Sequence, residues 1–143
     1  MFFRICSSIS RVCLMTLLLI ALGCGGPKSP LVKTYAAKGT VSYKDGQPLK
    51  GGMIEFRPMA GDGPAATGRI SETDGSFSLR CFVDDKAQVD GALAGEYRVT
   101  VMPPQNQDQS AEAPVMLPQA YTIKADDTSN VFKITIEHGK RKG

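Results

Sequence analysis

The feature that most constrains this chain is an alternation of period two that starts near Ala37 and returns as far as Glu137. Phe77, Leu79, Cys81 and Val83 alternate with Ser76, Ser78 and Arg80. Tyr97, Val99 and Val101 alternate with Arg98 and Thr100, and Phe132, Ile134 and Ile136 with Lys133 and Thr135. Successive side chains of a strand point to opposite faces, so each run describes a strand with one buried face. Val41 with Tyr43, and Ile54 with Phe56, follow the same rule. No stretch after Cys24 carries the 3.6-residue apolar period of a useful amphipathic helix.

The punctuation between the runs is that of turns. Asp45-Gly46 follows the first strand, and Pro58 ends the second or places it at an edge. Asp74-Gly75 separates Thr67–Thr73 from Ser76–Val83. Two such residues between alternating arms predict a hairpin closed by a type I′ turn. On that reading Gly75→Val is harmful and Gly75→Asn mild. Asp84 to Ala94 and Gln105 to Pro114 read as loops, Met116 to Ala125 is ambiguous, and a last strand spans Asn130 to Glu137. Six or seven short strands without crossover helices predict an all-β, antiparallel sandwich or barrel. Its expected inward set is Val41, Tyr43, Leu49, Ile54, Phe56, Ile70, Phe77, Leu79, Cys81, Tyr97, Val99, Val101, Phe132, Ile134 and Ile136.

The first 23 residues are of another kind. They carry Arg4 and Arg11, no acid, and a stretch from Val12 to Leu22 that is apolar but for Thr16. A membrane-spanning helix needs about 20 apolar residues, well beyond this stretch. A basic flank, a short apolar run and then small residues make a secretory signal peptide, here 1–23. Ile20-Ala21-Leu22-Gly23-Cys24 resembles the lipobox of bacterial lipoproteins, although Ala21 and Leu22 stand in the reverse of the usual order. The resemblance implies cleavage between Gly23 and Cys24 and a diacylglycerol on the Cys24 thiol. Residues 24–36 then form the lipidated cysteine and a flexible tether, 37–138 the sandwich domain, and 139–143 a basic tail. The membrane becomes a partner through the anchor, with the domain in the periplasm at the cell or outer membrane.

Cysteine usage agrees with this organisation. Cys6 and Cys13 leave with the signal and Cys24 is consumed, so Cys81 stands alone and forms no intramolecular disulfide. It alternates with Phe77 and Leu79, which predicts a small buried residue slow to meet thiol reagents. Without Arg4 and Arg11, 15 of the 17 basic residues face 14 acidic ones, a net charge of +1. That balance gives no footprint for nucleic acid.

Three motifs share a family resemblance. Gly39-Thr40-Val41-Ser42-Tyr43-Lys44-Asp45-Gly46-Gln47-Pro48-Leu49-Lys50-Gly51-Gly52 is similar to the opening of carboxypeptidase regulatory-like domains. Thr73-Asp74-Gly75-Ser76-Phe77-Ser78-Leu79 resembles their Thr-Asp-x-x-Gly-x-Phe hairpin, two residues shorter at the turn. Ala94-Gly95-Glu96-Tyr97-Arg98-Val99-Thr100-Val101 resembles their Pro-Gly-x-Tyr strand, with Ala94 in place of the proline. The resemblance covers about residues 38 to 137 and implies a prealbumin-like (transthyretin-like) sandwich. Motifs that specify a fold do not specify a function. Such modules usually stabilise, space or bind.

Catalysis finds little support in the residues. The transthyretin-related hydroxyisourate hydrolases use several histidines, whereas this chain has only His138. Nucleophilic catalysis needs a serine or cysteine beside a base, and Ser71, Ser76 and Ser78 have no histidine near them in sequence. Asp84, Asp85, Asp90, Asp126 and Asp127 could supply a carboxylate pair or a calcium site, but all fall in polar loops. No cofactor and no metal site is expected. There is no Trp, and of the tyrosines only Tyr35 and Tyr121 remain as contacts for a glycan. The expectation is a non-catalytic structural or protein-interaction module with an envelope protein or glycan partner. The alternative is a lipoprotein binding a small sugar or peptide through loops 84–94 and 103–118.

Overall fold

The computed structural model describes residues 32–83, 87–105 and 112–138. Residues 1–23, expected to be a signal peptide, Gly23-Cys24, most of the 24–36 stretch and the 139–143 tail lie outside the described residues. Among those described, every regular element is a strand. There are nine: β1 (Lys38–Tyr43), β2 (Met53–Pro58), β3 (Ala66–Arg69), β4 (Ser76–Ser78), β5 (Arg80–Phe82), β6 (Gln88–Asp90), β7 (Gly95–Met102), β8 (Val115–Ile123) and β9 (Val131–Ile136). They form two sheets, one of order β4-β1-β9 and one of order β6-β5-β3-β2-β7-β8. The expected all-β sandwich is the fold observed.

The core lies between the sheets and is built by the alternation. Val41, Ile54, Phe56, Cys81, Val99 and Val101 are completely buried. Of the expected inward set only Tyr43 and Phe132 are half-buried; both pack against the core from its rim. Phe56 is the hub, with ring centroids of Phe77, Tyr97, Tyr121 and Phe132 between 5.5 and 6.2 Å away. Burial pushes the Cys81 thiol pKa up, as expected of an inert buried cysteine. The ambiguous stretch after Met116 is the long edge strand β8, which pairs with β7 across an irregularity between Arg98 and Thr100. Its Leu117 and Ile123 complete the core.

Several expectations are corrected in detail. The strands number nine because β6 forms inside the 84–94 stretch read as a loop, pairing its Val89 with Cys81. The sandwich is not wholly antiparallel. β1 and β9 run parallel from Lys38↔Val131 to Tyr43↔Ile136. The arms around Asp74-Gly75 do not form one hairpin either. β3 ends at Arg69, and the second arm breaks at Leu79 into β4, which pairs with β1, and β5, which pairs with β3. The chain thus crosses from one sheet to the other at Leu79.

The turn itself is wider than type I′. The amide of Ser71 donates to the Ser76 carbonyl at 2.8 Å and that of Gly75 to the Ser71 carbonyl at 3.2 Å, enclosing Glu72 to Gly75. Gly75 has φ +71° while Asp74 does not take positive φ, as a type I′ turn would need. Tyr35, in the stretch read as tether, exchanges backbone hydrogen bonds of 2.8 and 3.0 Å with Ala92. The Ala36 amide donates to Asp127 Oδ1 at 3.0 Å.

Candidate functional site

An open groove of about 920 Å³ runs beside β4 on the outer side of the three-stranded sheet. Drug-sized ligand pockets fall at roughly 300–1,000 Å³, so its size suits a ligand or a partner segment. Strand parity places its wall. Lys38 and Thr40 of β1 face outward between Ser78 and Ser76 of β4, their register partners. Val131, exposed on β9 opposite Lys38, supplies an apolar end. The far wall is Arg69, Ile70, Ser71 and Glu72, at the end of β3 and the start of the wide turn.

Two cations, one carboxylate and four hydroxyls therefore share one concave surface, a set that can donate to and accept from an extended polar ligand. The hydroxyls nearest the turn are partly committed. Ser76 donates through its amide at 3.0 Å and its hydroxyl at 2.8 Å to Asp74 Oδ1. Ser71 Oγ lies 2.9 Å from Thr73 Oγ1. Hydrogen bonds to its carboxylate, from the Ser71 side chain first and then from the Ser76 amide and hydroxyl, hold the Asp74 pKa down to about 2. The turn is thus a rigid rim.

The histidine lies elsewhere. His138 Nε2 is 3.2 Å from Asp45 Oδ2, and its ring stacks on Tyr43 at 3.8 Å between centroids. The Asp45 carboxyl pKa is lowered, first by the Gln47 amide and then by His138. Tyr43 donates to Glu112 Oε2 at 3.3 Å, and its pKa is raised by burial and then by that carboxylate. Lys44 and Glu137 form an ion pair alongside. Sequence reading missed this cluster because Asp45 meets His138 only through the parallel β1–β9 register, which no local pattern announces. His138 meets a carboxylate and a tyrosine ring here, and no serine or cysteine hydrogen-bonds to it among the described residues.

The acids considered for catalysis or calcium have other employment. Asp90 pairs with Arg80 at 2.9 Å. Asp126 accepts from the Thr128 amide and hydroxyl at 2.9 and 2.8 Å. Asp127 caps Ala36. Asp84 and Asp85 lie outside the described residues. Among the described residues no group of three or more His, Cys, Asp or Glu is placed to hold a metal ion. Tyr121 packs edge-on against Phe132 at 5.9 Å, and Tyr35 carries Lys33 Nζ 5.1 Å from its ring centroid.

Comparison with known proteins adds one neighbour. No known family profile matches the chain, and no curated protein matches it. Among solved structures it is similar to the major pilin subunit of Bacillus cereus, at 16% identity and a TM-score of 0.42. That match covers 76% of this chain and 30% of the pilin chain, so it spans less than a third of the neighbour.

Proposed function

We propose that this protein is a membrane-anchored, non-catalytic β-sandwich lipoprotein that serves the cell envelope as a structural or protein-interaction module. The groove beside β4 carries this reading, because it is a built, concave, hydrogen-bonding surface of partner size. The similarity of 39–52, 73–79 and 94–101 to carboxypeptidase regulatory-like domains supports it, since those modules act as accessories. The envelope protein or glycan partner is received in this groove, and none of its lining residues comes from 84–94 or 103–118. The ligand-binding alternative keeps those loops, which contribute Asp90 and Gly91 to one smaller pocket and Pro104 to another.

Crosslinking of the intact lipoprotein in its membranes tests the reading. Lys38→Ala with Arg69→Ala should abolish a specific crosslinked product that Lys133→Ala, on the neighbouring strand, leaves intact. Products that survive the double variant unchanged would remove the groove from the account.

A further inference from the structure

We infer that the sandwich is a load-bearing link, in which tension entering ahead of β1 and leaving after β9 is held by the parallel pairing of those two strands. Such a role is separate from partner binding in the groove and independent of the lipid anchor. Direction decides it. Among the described residues β1 is the first strand and β9 the last, and they run the same way over six register pairs, from Lys38↔Val131 to Tyr43↔Ile136. Every other strand pairing is antiparallel. The chain therefore enters β1 at one end of the pair and leaves β9 at the other, roughly 17 Å away along the strands. Force applied through those two ends draws the strands past each other along their axes. The bonds of a parallel ladder are evenly spaced along that direction, so the rungs share the load and must fail together. Had β1 and β9 been antiparallel, the same force would part them one rung at a time.

Packing opposes the slide. Val41 is completely buried, and Ile134 and Ile136 are 1% and 2% exposed. A slip of one residue would turn Ile134 and Ile136 to the outer face. Gly39 lets the two backbones approach, since a Cβ there would stand 2.2 Å from the Phe132 carbonyl oxygen. The ladder is closed at both ends: the Lys38 amide donates to the Asn130 carbonyl and the Lys44 amide to the Ile136 carbonyl, each at 3.0 Å. On its other side β1 is held by β4, from Lys38↔Ser78 to Thr40↔Ser76, so the loaded strand is a central one.

The chain just ahead of β1 spreads the load before it reaches the ladder. Tyr35 exchanges two backbone bonds with Ala92, and Thr34 Oγ1 donates to the Asp90 carbonyl at 3.0 Å. The Ala36 amide donates to Asp127 Oδ1, and its carbonyl accepts from Asn130 Nδ2 at 3.4 Å. Residues 34–36 are thus tied both to the β6 margin of the larger sheet and to the β8–β9 connection.

Single-molecule pulling separates such a clamp from ordinary stability. The full chain is stretched between handles at residues 1 and 143, and in a second arrangement between handles at Gln47 and residue 143. Gln47 is exposed, and its carbonyl accepts from the Tyr43 amide, so the second arrangement peels the same ladder from its Tyr43↔Ile136 end. At equal loading rate the first arrangement should open at several-fold higher force, releasing residues 38–136 in one event. V89A trims the half-buried residue of β6, remote from the ladder in strand order. It should lower the denaturant midpoint and leave the first force unchanged, because forced unfolding follows the barrier that is loaded. Equal forces in the two arrangements overturn the inference, as does release in several low-force steps. A first force that falls in step with the V89A midpoint would show that pulling reads global stability, and that result overturns the clamp as well.

Discussion

Gly75 shows how a residue can matter for a reason that its sequence context conceals. Its φ of +71° favours glycine, but the tighter constraint is space: an added Cβ would sit 2.4 Å from the Val41 carbonyl oxygen. Asparagine tolerates the dihedral and still brings that Cβ, so the mildness expected of Gly75→Asn does not hold. Denaturant melts should show G75A and G75N each losing about 1–3 kcal/mol, the scale of an overpacked or strained site. Gly46, at φ +87° with nothing within 4 Å of its Cβ position, is the control; G46N should stay within about 0.5 kcal/mol of wild type. Equal effects at the two positions would contradict the close approach. Asn130 is the buried polar counterpart. Its Oδ1 accepts from the Lys124 amide at 2.8 Å, and its Nδ2 donates to the carbonyls of Asp126, Lys124 and Ala36 at 2.6, 3.0 and 3.4 Å. N130A strands those groups and should cost about 2–3 kcal/mol. N130D, which turns the donor toward three carbonyls into an acceptor, should be no milder in the same melts. Asp74 adds a pH dependence. Its folded pKa, about 2, lies below the ordinary 3.8, so the turn's contribution is present above pH 3.8 and is lost as pH falls through about 2. The unfolding midpoint of D74N should fall less steeply over that window than wild type, and parallel acid limbs would show the turn bonds to be inconsequential.

At the scale of elements, the strands legible in the sequence were those whose burial is one-sided. β2, β7 and β9 alternate cleanly because one face packs and the other is solvated. β6 was hidden because only Val89 of its three residues is even half-buried. Met116 to Ala125 was ambiguous because three consecutive exposed residues, Pro118 to Ala120, interrupt the pattern of β8. The crossing at Leu79 was invisible for a different reason: Phe77, Leu79 and Cys81 all point into the same core although β4 and β5 belong to different sheets. Period two reports which face is buried and is silent about which sheet provides the hydrogen bonds. The groove was illegible on the same ground, since Lys38, Ser78 and Arg69 meet only through that crossing, while Cys81 needed nothing beyond the alternation. Strand position also ranks local stability. β2 and β7 are paired on both sides around fully buried side chains, whereas β6 has one partner over three residues. Amide exchange should therefore be slowest at Ile54, Phe56, Val99 and Val101 and fastest among the strands in Gln88–Asp90. A β6 as protected as β2 would mean that something covers that edge.

For the whole molecule, the sandwich closes one core between its two sheets and opens a groove beside β4 that carries hydroxyls, Lys38, Arg69 and Glu72. On the proposed reading, cleavage before Cys24 and lipidation of its thiol would hold the sandwich at a bilayer, as two acyl chains bind far more durably than one. Intact-mass analysis of the membrane fraction tests this directly. The account predicts a chain beginning at Cys24 and carrying a diacylglycerol on that residue. A mature protein that begins elsewhere, or a free thiol at Cys24, would contradict it.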